Sequence, residues 1–284
     1  PRSTRSTRSR ARRSGAPARR STCDRNGFML LVVDVGNTQT HLGTFRDGAL
    51  HEHWRFATVR ESTADELGAA LRSLLGLRGV TFDLLDASIV SSTVPELAPE
   101  WAAMAERYLG HRMPVVGPGL RTGMPIRIDN PREVGADRLV NSVAAHDRFG
   151  GPCVVVDFGT GLNIDIVSRA GEYIGGMIAP GIEISMDALT ARGAKLLRVE
   201  LETPRALIGK STVEAIRSGV VYGYAGMVDG ILRRLRAELG EDTATIATGG
   251  LAGYIVPHCE LVDETDELLT LQGLRLIWER NQHA

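Results

Sequence analysis

The chain writes one short pattern twice. "LLVVDVGNTQTHLGTF", from Leu31, and "CVVVDFGTGLNIDIVS", from Cys153, both run Val-Val-Asp, any residue, Gly, a small polar residue, then an alternating apolar segment. The two aspartates, Asp34 and Asp157, stand 123 positions apart. A strand, an acidic glycine turn and a second strand repeated at that distance predict two related α/β halves, and the period is far too long for a solenoid. A length of 284 residues suits two such units better than one core.

Local patterning fills in the halves. Apolar–polar alternation predicts strands at 30–35, 39–46 and 49–56, with turns at "GNT" and "RDG". A helix over about 63–76 follows, with Thr63 as N-cap and Glu66 completing a capping box. "DASIVSSTVP" reads as a buried strand, Pro95 opens a helix to about 109, and "RMPVVG" reads as a short strand. Residues 117–134 are rich in Gly and Pro and show no period; a loop of that length in a compact body is usually functional. "GADRLVNSVAAHDRF" then starts a helix. After "GGP" the order resets, with strands at 153–157, 162–168 and 172–178, helices at about 181–193, 212–239 and 267–280, and a strand plus short helix around "TATIATGG". The expected units are 29–150 and 151–284.

Charge separates off the N-terminus. Residues 1–28 hold nine arginines and one acid, whereas the remainder holds 24 basic and 33 acidic residues. Such a tail has too little apolar surface to offset its ordering entropy. A basic nucleic-acid arm and a transit peptide are both open readings; the preferred one is translated upstream sequence, because Met29 opens the first strand directly. With only two lysines, Lys195 and Lys210, the acidic body is a poor grip for a nucleic-acid backbone. The three cysteines show no CxxC spacing, which suits a reducing, cytoplasmic setting, and no apolar run reaches the ~20 residues of a membrane span.

The repeated turn has a specific chemistry. Glycine removes the Cβ that would block a ligand, successive turn N–H groups form an anion nest, and Thr38 and Thr160 add hydroxyl donors. Each Asp can hold a cation or its water shell. Two such turns facing across a cleft can clasp nucleotide phosphates from both sides. A third glycine turn, "ATGGLAG" (247–253), follows a strand, where backbone can lie flat against an adenosine. Two decoys fall away. "IGKST" (208–212) lacks the first P-loop glycine, since Pro204 stands there, and "GTGLNI" (159–164) continues as a strand rather than a helix. The seven histidines show no metal-ligand spacing.

These three turns resemble those of the ASKHA superfamily, which implies duplicated actin-like, ribonuclease H-like α/β domains with an ATP cleft between them. "DVGNT", "DNPREVGADRLVN", "VVDFGT", "GGMIAPGI" and "GKST", in that order, resemble type III pantothenate kinases over essentially all of Met29–Asn281. The resemblance implies ATP-dependent phosphorylation of pantothenate with Mg²⁺ and a monovalent cation, K⁺ or NH₄⁺. It implies that Asp34, Val35, Gly36, Asn37, Thr38, Gln39, Thr40, His41 and Thr160 hold ATP, and that Asp157 holds the monovalent cation. Gly135, Ala136, Asp137 and Arg138 would bind pantothenate, with Asp137 accepting the proton of its primary hydroxyl. Thr212 would reach pantothenate across a homodimer interface. Physical chemistry agrees in part: Asp137 falls in a first helical turn, where N–H groups favour a carboxylate, and Arg138 can fork onto the substrate carboxylate.

The chain departs from the family where Ala-Thr-Thr usually follows "DFGT"; here Gly161, Leu162 and Asn163 stand instead. Two hydroxyls leave the second phosphate turn, which bears on nucleotide affinity. Two rival readings share the fold: another ASKHA small-molecule kinase or phosphatase, and a non-catalytic accessory factor in transcription.

Overall fold

The structure, a computed structural model, describes residues 27–192 and 199–282; the Arg-rich segment up to residue 26 and Lys195 lie outside the described residues. Two sheets repeat one plan. The first holds β1 (Met29–Val35), β2 (Gln39–Arg46), β3 (Ala49–Ala57) and β4 (Ala87–Ser92) in the order β3-β2-β1-β4. The second holds β5 (Cys153–Phe158), β6 (Gly161–Val167), β7 (Tyr173–Pro180), β8 (Ala244–Thr248) and β9 (Glu264–Thr265) in the order β7-β6-β5-β8-β9. In each, an antiparallel meander is extended by a parallel strand beside its first member, β4 beside β1 and β8 beside β5. Asp34 and Asp157 therefore occupy the same place twice, near the carboxyl end of a central strand. Ligands of open α/β sheets bind outside that end.

The unbroken apolar runs of β1 and β5 reflect burial on both faces. Leu31 and Val33 pack outward against α1 (Ala64–Gly76) and α2 (Leu97–Met104), while Leu30 and Val32 face inward. Val154 and Val156 pack outward with α4 (Ile182–Arg192) and α5 (Thr212–Leu239), while Cys153 and Val155 face inward. The inward residues of both sheets meet α3 (Ala136–Phe149) and α7 (Leu269–Asn281), which form a shared central layer. Gly273 of α7 lies directly against Val140 of α3, which lets these two helices approach closely. A short α6 (Ala252–Ile255) follows β8.

The Thr63 capping box forms as expected: its side chain accepts from the Glu66 N–H, and Glu66 accepts from the Thr63 N–H at 2.8 Å. Thr63→Ala should cost about 1 kcal/mol, read as a lowered denaturant midpoint at unchanged slope.

Some expected elements shift. The helix opened by Pro95 starts at Leu97, and its last turn widens to a π-turn over Ala105–Leu109. "RMPVVG" contributes one parallel bridge, Val90 to Val115, and no strand; Pro114 cannot donate and "GPG" follows. The 117–134 segment is irregular but tethered. Asn281 of α7 bonds Arg121, Arg280 bonds the Thr122 carbonyl, and Ile126 bridges to Tyr173 at the start of β7.

Candidate active site

A cleft of about 280 Å³ opens between the carboxyl ends of the two sheets. The two repeated turns form its jaws, and they touch: the Thr38 and Thr160 hydroxyls lie 3.0 Å apart. The first turn is braced from behind. The Gly36 N–H donates to Gln39 O at 3.0 Å, and Thr58 donates its hydroxyl to Gly36 O and its N–H to Thr38 O. Arg60 donates to the Asn37 side chain at 2.9 Å. At the far end, the Thr248–Leu251 turn lines the cleft.

Three half-buried carboxylates share the floor. Burial, then the charges of Asp137 and Asp157, push Asp34 up to about 8. Burial, then Asp137 and Asp165, push Asp157 up to about 7. Asp137 is also raised, by burial, although the backbone N–H of Arg138 pulls the other way. The expectation that the first helical turn would favour the carboxylate is thus corrected: its N–H groups act as foreseen, but desolvation outweighs them. Asp34 Oδ1 is buried without a hydrogen-bond partner, so the floor has an orphaned acceptor. That donor set suits hard cations. Among the described residues no three His, Cys, Asp or Glu side chains converge tightly enough to hold a metal on their own. A divalent ion there would need oxygens from a bound phosphate chain as well.

The raised carboxyls carry a stability signature. Their ordinary value is 3.8, so the folded chain keeps protons that the unfolded chain has already released. That contribution is fully present below about pH 4 and is lost as pH rises through about 7–8. Melting temperature of the ligand-free protein should fall from about pH 5 to about pH 8, and Asp34→Asn should flatten the slope. A melting temperature rising through that window in the wild type would contradict this floor.

The remaining site residues fall into groups. Gly36, Asn37, Thr38, Gln39, His41 and Thr160 line the cleft. His41 stays neutral, held down to about 4 by burial and then by Arg55 and His53. Val35 and Thr40 bring no side chain to the cleft, Val35 lying in the core and Thr40 bonding Thr58. Gly135 caps α3 and Ala136 begins it. Arg138 is engaged by Asp165 at 2.7 Å. Thr212, exposed at the start of α5, does not line the cleft. Glu183, Glu267 and Thr270 also line it, and no local motif marks them. Thr270 donates to Asn141 at 2.7 Å, and Asn141 reaches Asp157 at 3.4 Å, so α3 and α7 steady the second aspartate.

The family model for type III pantothenate kinase matches residues 30–234. The chain belongs to the type III pantothenate kinase family. It is 51% identical over 253 residues to the type III pantothenate kinase of Moorella thermoacetica, covering 89% of this chain and all of that one. With the family member from a Parafrankia strain it shares 53% over 258 residues, covering 89% and 98%. Among solved structures, a protein described as a Baf-family transcriptional activator from Campylobacter jejuni aligns with TM-score 0.54 at 17% identity, covering 89% of this chain and all of that one. EutJ, an ethanolamine utilization protein of Carboxydothermus hydrogenoformans, aligns at TM-score 0.52 and 13% identity, covering 88% and 89%. At those identities the two structures bear on fold alone, and they agree with the two-sheet α/β architecture described above. Among the described residues no helix is long and apolar enough to cross a membrane.

Within this family the Gly161-Leu162-Asn163 departure takes a definite shape. Leu162 is buried in the second outer core, so the apolar replacement faces away from the cleft. Gly161 and Asn163 line the cleft, and Asn163 pairs across the ladder with Asp157. The segment therefore presents an amide beside the second glycine turn and buries its apolar side chain in packing.

Proposed function

We propose that the chain transfers the γ-phosphoryl group of ATP to the primary hydroxyl of pantothenate, the first step of coenzyme A biosynthesis, in the cytoplasm. The observation that carries this is the meeting of the two glycine turns, Thr38 against Thr160, directly over Asp34, Asp137 and Asp157. The segments 29–150 and 151–284 act as the two jaws.

Turn N–H groups from Asn37 to Gln39, with the Asn37, Thr38 and Thr160 side chains, bind the phosphate chain and orient it for in-line attack. His41, neutral and half-buried, borders the nucleotide, and Val35 and Thr40 set the shape of the turn from behind. The Gly249–Gly250 backbone lies against the adenosine. Asp137 receives the hydroxyl proton and orients that oxygen; a carboxyl raised above its ordinary value is a better base than a free one. Arg138 takes the substrate carboxylate, with Gly135 and Ala136 shaping the wall. Asp34 would hold Mg²⁺ together with ATP oxygens, and Asp157 a monovalent ion, K⁺ or NH₄⁺. These cations supply charge neutralisation for the transferring phosphoryl group.

The active unit we propose is a homodimer, with Thr212 reaching the partner's pantothenate. An exposed apolar set supports this: Ile178, Ile184, Leu189, Leu207, Ile208 and Val213 all lie in the second half. These side chains offer apolar surface for such a contact. Mixing Asp137→Asn chains with Thr212→Ala chains should restore activity that neither has alone, because one composite site is then intact. The function itself is tested by offering Mg·ATP with pantothenate, hexoses, N-acetylated sugars and polyphosphate in parallel. Turnover confined to pantothenate is the expected result; turnover of a sugar or polyphosphate instead would overturn it.

A further inference from the structure

Asp165, Tyr173 and Gly176 have no part in the reading above, yet they converge on Arg138. Asp165 sits mid-strand in β6 and is fully buried. Its Oδ1 accepts from Arg138 Nε at 2.8 Å and from the Tyr173 hydroxyl at 2.8 Å, and forms an ion pair with Arg138 Nη2 at 2.7 Å. The residue directly opposite Asp165 on β7 is Gly176. A Cβ at position 176 would overlap Arg138 Nη2 and the Ile164 carbonyl, and would stand 3.0 Å from Asp165 Oδ1. The cross-strand pair is thus a carboxylate facing an empty slot, and the guanidinium fills the slot. The Tyr173 ring lies beneath, its centroid 6.0 Å from the guanidinium carbon. Tyr173 itself is clamped by the long tethered segment: its N–H donates to Pro125 O at 2.9 Å, and Arg127 N–H donates to its carbonyl at 2.8 Å.

This arrangement is poorly explained by stability, because a buried ion pair often contributes no more than an apolar pair of the same volume. It is well suited to orientation. Holding Nε and Nη2 on one side removes rotation of a planar fork, and among the described residues Nη1 donates to no protein acceptor. The Arg138 side chain keeps 14% of its surface exposed.

We propose that Asp165, Tyr173 and Gly176 are positioning residues that grip the Nε–Nη2 edge of Arg138 so that its Nη1 edge meets the carboxylate of the acid substrate. This rests on the pantothenate reading and deepens it: selectivity for an acid over its neutral analogues resides in a seat 27 residues downstream of the arginine. The long segment before α3 then supports the substrate pocket through Tyr173 rather than closing over it.

The test is a kinetic comparison of pantothenate with pantothenol, the analogue in which CH₂OH replaces the carboxylate. Asp165→Asn should raise KM for pantothenate about 100-fold while leaving KM for ATP unchanged. On pantothenol the same variant should lose far less, because there is no carboxylate to misplace. Asp165→Asn combined with Arg138→Ala should be no worse than Arg138→Ala alone. Tyr173→Phe keeps the ion pair and should show the same selectivity at smaller size, which covers a poorly folding Asp165→Asn. Equal losses on both substrates, or a raised KM for ATP, would overturn the seat while leaving the kinase reading intact. No wild-type turnover of either compound would remove the kinase reading and the seat with it.

Discussion

Replacing Asp137 by Asn should lower kcat by about 10²–10⁴-fold while leaving the fold and ATP binding in place. The amide is isosteric, so the first turn of α3 keeps its shape, and Arg138 stays anchored on Asp165 rather than on Asp137. What disappears is the acceptor for the hydroxyl proton. The smaller figure applies if most of the residue's work is orientation, since an amide oxygen can still accept a hydrogen bond; the larger applies if proton removal matters. A second consequence separates the two carboxylate functions. Asp137 is one cause of the raised pKa at both Asp34 and Asp157, so neutralising it should bring both down. The ligand-free variant should therefore bind cations at lower pH than wild type even as turnover collapses. Followed by proton release on adding Mg·ATP, a fall in kcat without that shift would place Asp137 away from the floor.

Gly249→Ala should be the most damaging small substitution in the cleft. Gly249 has φ +94°, a conformation that L side chains rarely adopt. A Cβ there would stand 2.6 Å from both Asp157 Oδ1 and the Phe158 carbonyl. Strain and overlap together should cost about 2–5 kcal/mol, and relief would push the Thr248–Leu251 turn off the glycine turn that follows β5. The expected readouts are a lowered midpoint of unfolding and loss of ATP-dependent stabilisation. Gly253→Ala is the internal control: it lies in α6 with open space around its Cβ, so it should be neutral or slightly stabilising. Equal effects from the two would contradict the close seating of the turn.

The duplication was legible because it is written in local signals. Alternation marked β1, β2, β5 and β6, and the Thr63–Glu66 spacing fixed a cap. The bounds of α5, Thr212–Leu239, also match the expected 212–239. Turn chemistry singled out the two turns that meet at the cleft for the same reason: the glycine, the acid and the hydroxyl are sequence neighbours. What escaped detection depends on contacts between distant segments. Asp165 reads as one polar residue in an apolar strand, and only the fold shows it under Arg138. Glu267 and Thr270 reach the cleft because α7 returns to the shared central layer. β9 is two residues long and pairs in parallel at a sheet edge, so no period could betray it. The first-turn argument for Asp137 failed on magnitude, since burial by neighbouring elements cannot be read from a helix start.

The most direct measurement is ³¹P NMR of the products formed from Mg·ATP and pantothenate by this protein, with and without K⁺. The expected spectrum shows one phosphomonoester on the primary hydroxyl of pantothenate for each ADP released, at a rate that rises with K⁺ and falls at least about 100-fold in Asp137→Asn. A folded protein that binds ATP yet leaves pantothenate unmodified, or that releases only inorganic phosphate, would contradict the assignment of this cleft.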